Sequence, residues 1–322
     1  MATDEVTLPL VDLSGYINPQ QPGDKERVIA EVRDACAKYG FFQATGHGIP
    51  LGQQKGMLKS INTLFNMPVE EKRKLSFLKN PCRRGYEESG ASLRDGDPLP
   101  DSKEAYYIGR EDPVVEHSGF YGPNVWPPLP EEEFRNPVWE YYQSTHHLGQ
   151  LIWEILLLGL GHPVSLMEEF AKRPMVVLKM IRYPPHRSDL PGQFGVGPHT
   201  DFGGITVLLQ EAGKHGLQVW HEGLEQWLPV KAAEDIYIIN CGDMIGKWSG
   251  GQYKSAKHRV INAADNEPRL SCATFFHGDL FATNPLNPSD PNRETVGALL
   301  VKRFRNQFSF DKELIAAVGA PA

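Results

Sequence analysis

From Met175 to about Phe276 the chain is a series of short β-branched and aromatic runs, at residues 176–183, 206–209, 217–220, 236–240, 258–262 and 270–276, with turn residues between them. Strands of that length and spacing predict an antiparallel sandwich or barrel. The first half is patterned differently. Val28, Ile29, Val32, Cys36 and Tyr39 recur at helical spacing, and Gly40 follows where a helix would stop. Further helices are expected over 53–65, 66–75, 136–160 and 164–170, with strands at 8–13 and 41–45. Residues 80–130, rich in Gly, Pro and charge, read as loop with short strands. Helices first and strands after predict an α+β fold, or a β-barrel backed by helices, over alternating βαβ units.

Composition narrows the function. Forty per cent hydrophobic and 23% charged residues, in 322, exclude a mainly disordered chain. A net charge of −7 argues against nucleic acid as a main partner, though a local anion pocket is compatible with it. The most apolar run, residues 151–160, holds ten residues with Glu154 among them, half of what a membrane span needs, so no membrane partner is expected. Residues 1–6 carry neither a basic start nor an apolar stretch, so no leader is visible there. Cys36, Cys82, Cys241 and Cys272 are far apart and form no Cys-x-x-Cys pair, which points to a reducing, cytoplasmic setting. Glu70, Glu71, Lys72, Arg73 and Lys74 read as a solvated helix face. No Gly-x-Gly-x-x-Gly follows a strand, which argues against a Rossmann nucleotide site.

Chemistry concentrates in residues 197–203, Gly-Pro-His-Thr-Asp-Phe-Gly. In an extended segment His199 and Asp201 point to one face. A His-x-Asp pair is common by itself, but His258 follows 57 residues later, after several strand patterns. Two imidazoles and one carboxylate leave one face of an octahedral ion open, the arrangement used for non-haem Fe(II) with dioxygen. The same ligand types also suit a zinc hydrolase. Eleven residues after His258 come Arg269 and Ser271, with the turn composition of 262–268 between, so the two strands are expected to form a hairpin. Arg269 and Ser271 share a strand face, and a guanidinium beside a hydroxyl suits a carboxylate. Close to an open metal, that pair could anchor a dicarboxylic keto acid.

In this combination the sequence resembles the isopenicillin N synthase-like branch of the Fe(II)/2-oxoglutarate-dependent oxygenases. The resemblance runs from Leu8 to about Phe276 and rests on the ordered segments 8–13, 39–42, 46–49 and 65–72 as well as on His199, Asp201, His258, Arg269 and Ser271. It implies a double-stranded β-helix (jelly-roll) core flanked by α-helices. It divides the chain into an N-terminal helix and strand region at 1–130, connecting helices at 131–174, a catalytic jelly roll at 175–280 and a C-terminal segment at 281–322 that packs on the same core. It implies Fe(II) on His199, Asp201 and His258, with 2-oxoglutarate on Arg269 and Ser271. Tyr183 matches a family tyrosine that contacts the keto acid, whereas Ile181 stands where plant members usually carry Asn.

The reaction implied consumes O2 and 2-oxoglutarate, releases succinate and CO2, and oxidises a substrate C–H bond by hydroxylation, desaturation or rearrangement. Arg84 and Tyr86 match a family loop that faces the iron, and Tyr106 lies in a segment resembling a substrate-side strand. Phe202 follows a ligand, and Phe275 shares the Ser271 face. These positions combine aromatics with few charges, which predicts a small organic molecule as substrate. Two alternatives stay open: an iron oxidase of the same fold that does not use 2-oxoglutarate, and a non-catalytic module that binds metal or keto acid. The sequence leaves the oligomeric state open.

Overall fold

The computed structural model describes residues 7–91, 99–116, 120–185, 192–262, 267–305 and 312–319. The first six residues, on which the leader was judged, lie outside them, as do 263–266 of the expected hairpin turn. Along the chain the strands are β1 (Leu10–Asp12), β2 (Phe41–Thr45), β3 (Gly85–Glu87), β4 (Glu104–Gly109), β5 (Pro174–Tyr183), β6 (Val196–His199), β7 (Ile205–Gln210), β8 (Leu217–His221), β9 (Gln226–Pro229), β10 (Tyr237–Cys241), β11 (His258–Val260) and β12 (Arg269–Asp279). Eight of them form one sheet in the order β1-β2-β10-β7-β12-β5-β4-β3, and four form a second in the order β6-β11-β8-β9. Every pairing is antiparallel except β1 with β2. The two sheets make the double-stranded β-helix, and helices cover the outer face of the larger one.

That outer face is apolar because side chains alternate along each strand. Leu178 and Met180 of β5, Cys272 and Phe276 of β12, and Val207 and Leu209 of β7 all join the main core. The 25-residue helix Arg135–Gly159 lies over them with Ile152, Trp153, Ile155 and Leu156 buried. Gly149 permits the approach, since a Cβ there would stand 2.9 Å from the Phe276 ring. The opposite face looks toward the smaller sheet, and a second cluster of Phe41, Ile181, Tyr183, Val196, Val219 and Val260 fills part of that space. The helix Val296–Phe304 is capped by Thr295, whose hydroxyl accepts from the Ala298 N–H at 3.1 Å, and it buries Val296, Leu300 and Val301 in the main core. No helix among the described residues is long and apolar enough to cross a membrane.

Two expectations are corrected. The strands of His258 and Arg269 are not a hairpin: β11 pairs with β6 and β8, and β12 with β5 and β7. Both edges of β12 are already occupied, so β11 has no place beside it and the chain crosses to the other sheet. The charge run on the helix Val69–Lys74 is only partly solvated. Arg73–Glu70 and Lys74–Glu71 are exposed pairs, which contribute little. Lys72 is buried, with its ammonium 2.7 Å from Glu104 and 2.8 Å from the Phe65 carbonyl. Glu104 also accepts from Arg182 at 2.6 Å and from the Tyr86 hydroxyl at 2.7 Å, so every buried charge there has a partner.

Candidate metal centre and adjoining cavity

His199 ends β6, and its direct cross-strand partner on β11 is His258. Antiparallel partners hold their side chains side by side, and the two ring centroids are 4.2 Å apart. Each Nδ1 faces a backbone carbonyl, of Gly197 at 2.8 Å and of Ala256 at 3.2 Å. A carbonyl can only accept, so Nδ1 carries the proton and Nε2 keeps its lone pair for a metal. Both Nε2 atoms are 3.7 Å from Asp201 Oδ1. Asp201 lies beyond the end of β6 and is tied to the other sheet: its Oδ2 accepts from Thr206 Oγ1 of β7 at 2.5 Å and from Asn240 Nδ2 of β10 at 2.8 Å. The centre therefore sits on the seam between the sheets. Burial pushes the Asp201 carboxyl up, but the two imidazoles and these hydrogen bonds outweigh it and hold the group at about 2. One donor atom from each of the three residues lies within 4.8 Å of the others, a set that fits a single divalent ion.

Arg269 and Ser271 are placed by β12, beside Tyr183 and Ile181 of β5. The guanidinium stacks 4.9 Å over the Tyr183 ring and donates to the Gln210 side chain at 2.8 Å and the Lys214 carbonyl at 3.3 Å. Arg269 Nη1 and Ser271 Oγ are buried and, among the described residues, have no hydrogen-bond partner. Orphaned donors are costly in an interior and mark a place for a missing acceptor. A carboxylate supplies acceptors for both, so the pair fits one end of 2-oxoglutarate. Ile181, directly across from Ser271, adds an apolar wall where an Asn would have added a polar contact.

A cavity of about 540 Å³ opens beside Asp201. Of the five sequence candidates for substrate contact, Arg84, Phe202 and Phe275 line it. The structure does not bring Tyr86 or Tyr106 there. Tyr86, Tyr106 and Met180 are cross-strand neighbours on the face that packs against helices. The Tyr86 hydroxyl serves Glu104, and the Tyr106 hydroxyl donates to the Val125 carbonyl at 2.8 Å. One position along each strand, Glu87 and Tyr107 face the cavity instead. The expectation of few charges is also corrected, since the wall carries Arg83, Arg84, Lys103 and Lys179 as well as Glu87 and Asp201. His277 lines the wall next to Gly203, where a Cβ would collide with its ring, and burial pushes its imidazole down to about 4.

Family models match two stretches of the chain: a non-haem dioxygenase N-terminal region over residues 8–129 and the 2OG-Fe(II) oxygenase superfamily over 173–278. The 2-oxoglutarate-dependent dioxygenase thnC of Trichoderma harzianum is 67% identical over 319 residues, 99% of each chain. The chain belongs to the 2-oxoglutarate/Fe(II)-dependent oxygenases. Among other relatives of this oxygenase, the 2-oxoglutarate-dependent dioxygenase caaD of Aspergillus niger is 46% identical over 310 residues, 96% of each chain. Solved structures agree on the fold. Neurospora crassa T7H in complex with alpha-KG and thymine superposes with a TM-score of 0.82 at 24% identity, over 96% of this chain and 99% of that one. The rice dioxygenase for auxin oxidation gives 0.71 at 24%, over 96% and 99%.

The oxygenase is therefore an enzyme using Fe(II), 2-oxoglutarate and O2, and the zinc-hydrolase and non-catalytic readings fall away. Sequence reasoning missed Thr206, Asn240, Gln210, Glu87, Lys103 and Lys179. Strand parity could have found some of them. Lys179 is four residues before Tyr183 on the same strand and so shares its face, and Thr206 and Gln210 share a face of β7.

Proposed function

We propose that His199, Asp201 and His258 hold the iron through Nε2, Oδ1 and Nε2, that Arg269 and Ser271 hold the far carboxylate of 2-oxoglutarate, and that Tyr183 orients the Arg269 guanidinium by stacking on it. The observation that carries this reading is the pair of orphaned buried donors, Arg269 Nη1 and Ser271 Oγ, on a strand that also borders the metal centre. The bound iron and keto acid together supply oxidation of a C–H bond by O2, with succinate and CO2 as co-products. The chain supplies the rest. Gly197 and Ala256 fix the imidazole tautomers, and Thr206 and Asn240 occupy one Asp201 oxygen so that only the other is presented. Phe202 and Phe275 exclude water from the space next to Asp201, where a small organic substrate is placed. Arg84 contributes to the same wall.

We place the enzyme in specialised metabolism, as a cytoplasmic protein with four free and buried cysteines, and without nucleic acid or a membrane as partner. We also read residues 1–130, 131–174, 175–280 and 281–322 as its four successive regions. The decisive experiment incubates iron-loaded protein with 2-oxoglutarate in air and measures succinate. Succinate that requires iron and is lost in Arg269→Met supports the assignment. Oxygen consumption without succinate would favour an oxidase of the same fold, and succinate formation unchanged in Arg269→Met would remove that residue from the site.

A further inference from the structure

The chain carries a net charge of −7, yet among the described residues the wall of the 540 Å³ cavity carries Arg84, Lys103 and Lys179 with Glu87 and Asp201. Asp201 is committed to the metal centre, so Asp101, 4.0 Å behind Lys103, reduces the surplus without removing it. Arg84 is the most costly of these cations. It is 2% exposed, its Nη2 donates to the Phe120 carbonyl at 2.9 Å, and its Nε has no hydrogen-bond partner among the described residues. Among the described residues no carboxylate lies within ion-pair distance of it. A buried guanidinium paired only with a carbonyl is unfavourable, and an anion entering the cavity would relieve it. Glycine at position 109 makes room for it, since a Cβ there would stand 2.2 Å from Arg84 Nη2. The lysines also share a counter-ion, with Glu87 3.2 Å from Lys103 and 3.7 Å from Lys179.

We infer that the substrate is a small organic acid whose anionic group is held by Lys179 and Lys103, with Arg84 completing the cationic wall. This rests on the reading of the metal and keto-acid sites above. Arg269 and Ser271 are not among the residues that line this cavity, so 2-oxoglutarate does not account for its charge. Lys179 stands on β5, two strands from β7, whose Thr206 holds Asp201; at about 4.8 Å per strand the separation is roughly 10 Å. The acid group is therefore an anchor and the oxidised C–H bond lies several bonds away, beside Phe202 and Phe275. Glu87 keeps the two lysines in place when the cavity is empty and competes with the substrate for them when it is filled.

The test uses full-length protein loaded with zinc(II), which does not react with O2, and saturated with 2-oxoglutarate. Calorimetric binding of hexanoate and cinnamate is compared with that of hexanamide and cinnamamide. The acids should bind about tenfold or more tightly than their amides, as a charge-assisted contact requires. Lys179→Met and Lys103→Met should each erase most of that preference. Glu87→Gln should tighten acid binding about fivefold by removing the competing carboxylate, a gain that a misfolded variant cannot imitate. Equal binding of acid and amide by the wild type, or weaker acid binding in Glu87→Gln, would overturn the inference. So would a preference that survives in both lysine variants and disappears in Arg269→Met, which would locate the acids in the keto-acid site. Binding of 2-oxoglutarate is measured first in the same protein. Its failure with the acid preference intact would overturn the keto-acid assignment and leave the acid site supported.

Discussion

The two faces of the eight-stranded sheet are built from the same strands, one residue apart, and have opposite chemistry. Toward the long helix, Leu178, Met180, Cys272, Phe276, Val207 and Leu209 make an apolar layer. Toward the smaller sheet, those strands present Lys179, Arg269, Ser271, Thr206 and Gln210, and β10 adds Asn240. Burying that many polar groups costs free energy unless each has a partner. Some are satisfied within the face, as Thr206 and Asn240 are by Asp201, and others are left for ligands, as Arg269 Nη1 and Ser271 Oγ are. One face carries stability and the other accepts a stability cost in order to bind. A one-residue change of position along a strand moves a side chain from one role to the other.

That division is broken most directly at its two extremes. Asp201→Ala removes the carboxylate that joins the two sheets at the metal centre. Succinate formation should fall by at least about 10³-fold, some 4 kcal/mol, while circular dichroism and the unfolding midpoint of the metal-free protein stay near wild type. A comparable loss of folding would show that Asp201 belongs to the structural side. Leu178→Ala, next to Lys179 and fully buried on the helix face, should show the reverse pattern: a stability loss of about 2–5 kcal/mol by urea denaturation, with succinate formed per folded molecule unchanged.

How much of this was legible follows from the same geometry. His199, Asp201, His258, Arg269 and Ser271 stand out in sequence because few chemistries use those residue types in that order; the spacing of the short strands points to an antiparallel sandwich or barrel, and the jelly roll itself was implied by the family resemblance. The seam was not legible. Nothing local to residues 262–268 says that the chain crosses to the other sheet, because the reason is that β5 and β7 already flank β12. Parity was the other failure. Tyr86 and Tyr106 sit in the expected segments but one residue away from the cavity face, and a three-residue strand such as β3 gives too little alternation to fix its phase. Lys103, Lys179 and Glu87 look like ordinary surface charges until the fold encloses them.

Smaller effects sharpen the comparison on the polar face. Burial alone would raise the Glu87 carboxyl, but Lys179 and Lys103 together with the Tyr107 hydroxyl hold it down to about 2. Its folded-state value is below the unfolded value near 4.5, so the stabilisation is fully present above pH 4.5 and is lost as pH falls through 2. By pH 3 roughly 2 kcal/mol should have gone. The difference in unfolding free energy between pH 7 and pH 3 should be smaller by about that amount in Glu87→Gln, and an unchanged difference would mean that the lysines do not hold the charge. Asn240→Ala should weaken zinc(II) affinity about tenfold, since it removes one of the two hydrogen bonds that hold Asp201 Oδ2, and Asn240→Asp should not restore it. An unaltered affinity would leave Thr206 as the group that fixes the carboxylate.

The smallest expected effect separates the faces most cleanly. Tyr106 is fully buried on the helix side, edge-on to Phe134 at 6.3 Å, and its hydroxyl donates to the Val125 carbonyl. Tyr106→Phe keeps the ring, removes that donor and leaves a carbonyl short of a partner. The stability cost should be about 1 kcal/mol, read as a shift of the denaturation midpoint at constant slope. Its neighbour Tyr107 faces the cavity and donates to Glu87 at 2.7 Å, so Tyr107→Phe loosens the counter-ion of the two lysines and should change hexanoate binding to zinc-loaded protein while Tyr106→Phe does not. If Tyr106→Phe altered acid binding as much as Tyr107→Phe, the alternation of side chains would not be what separates packing from recognition in this sheet.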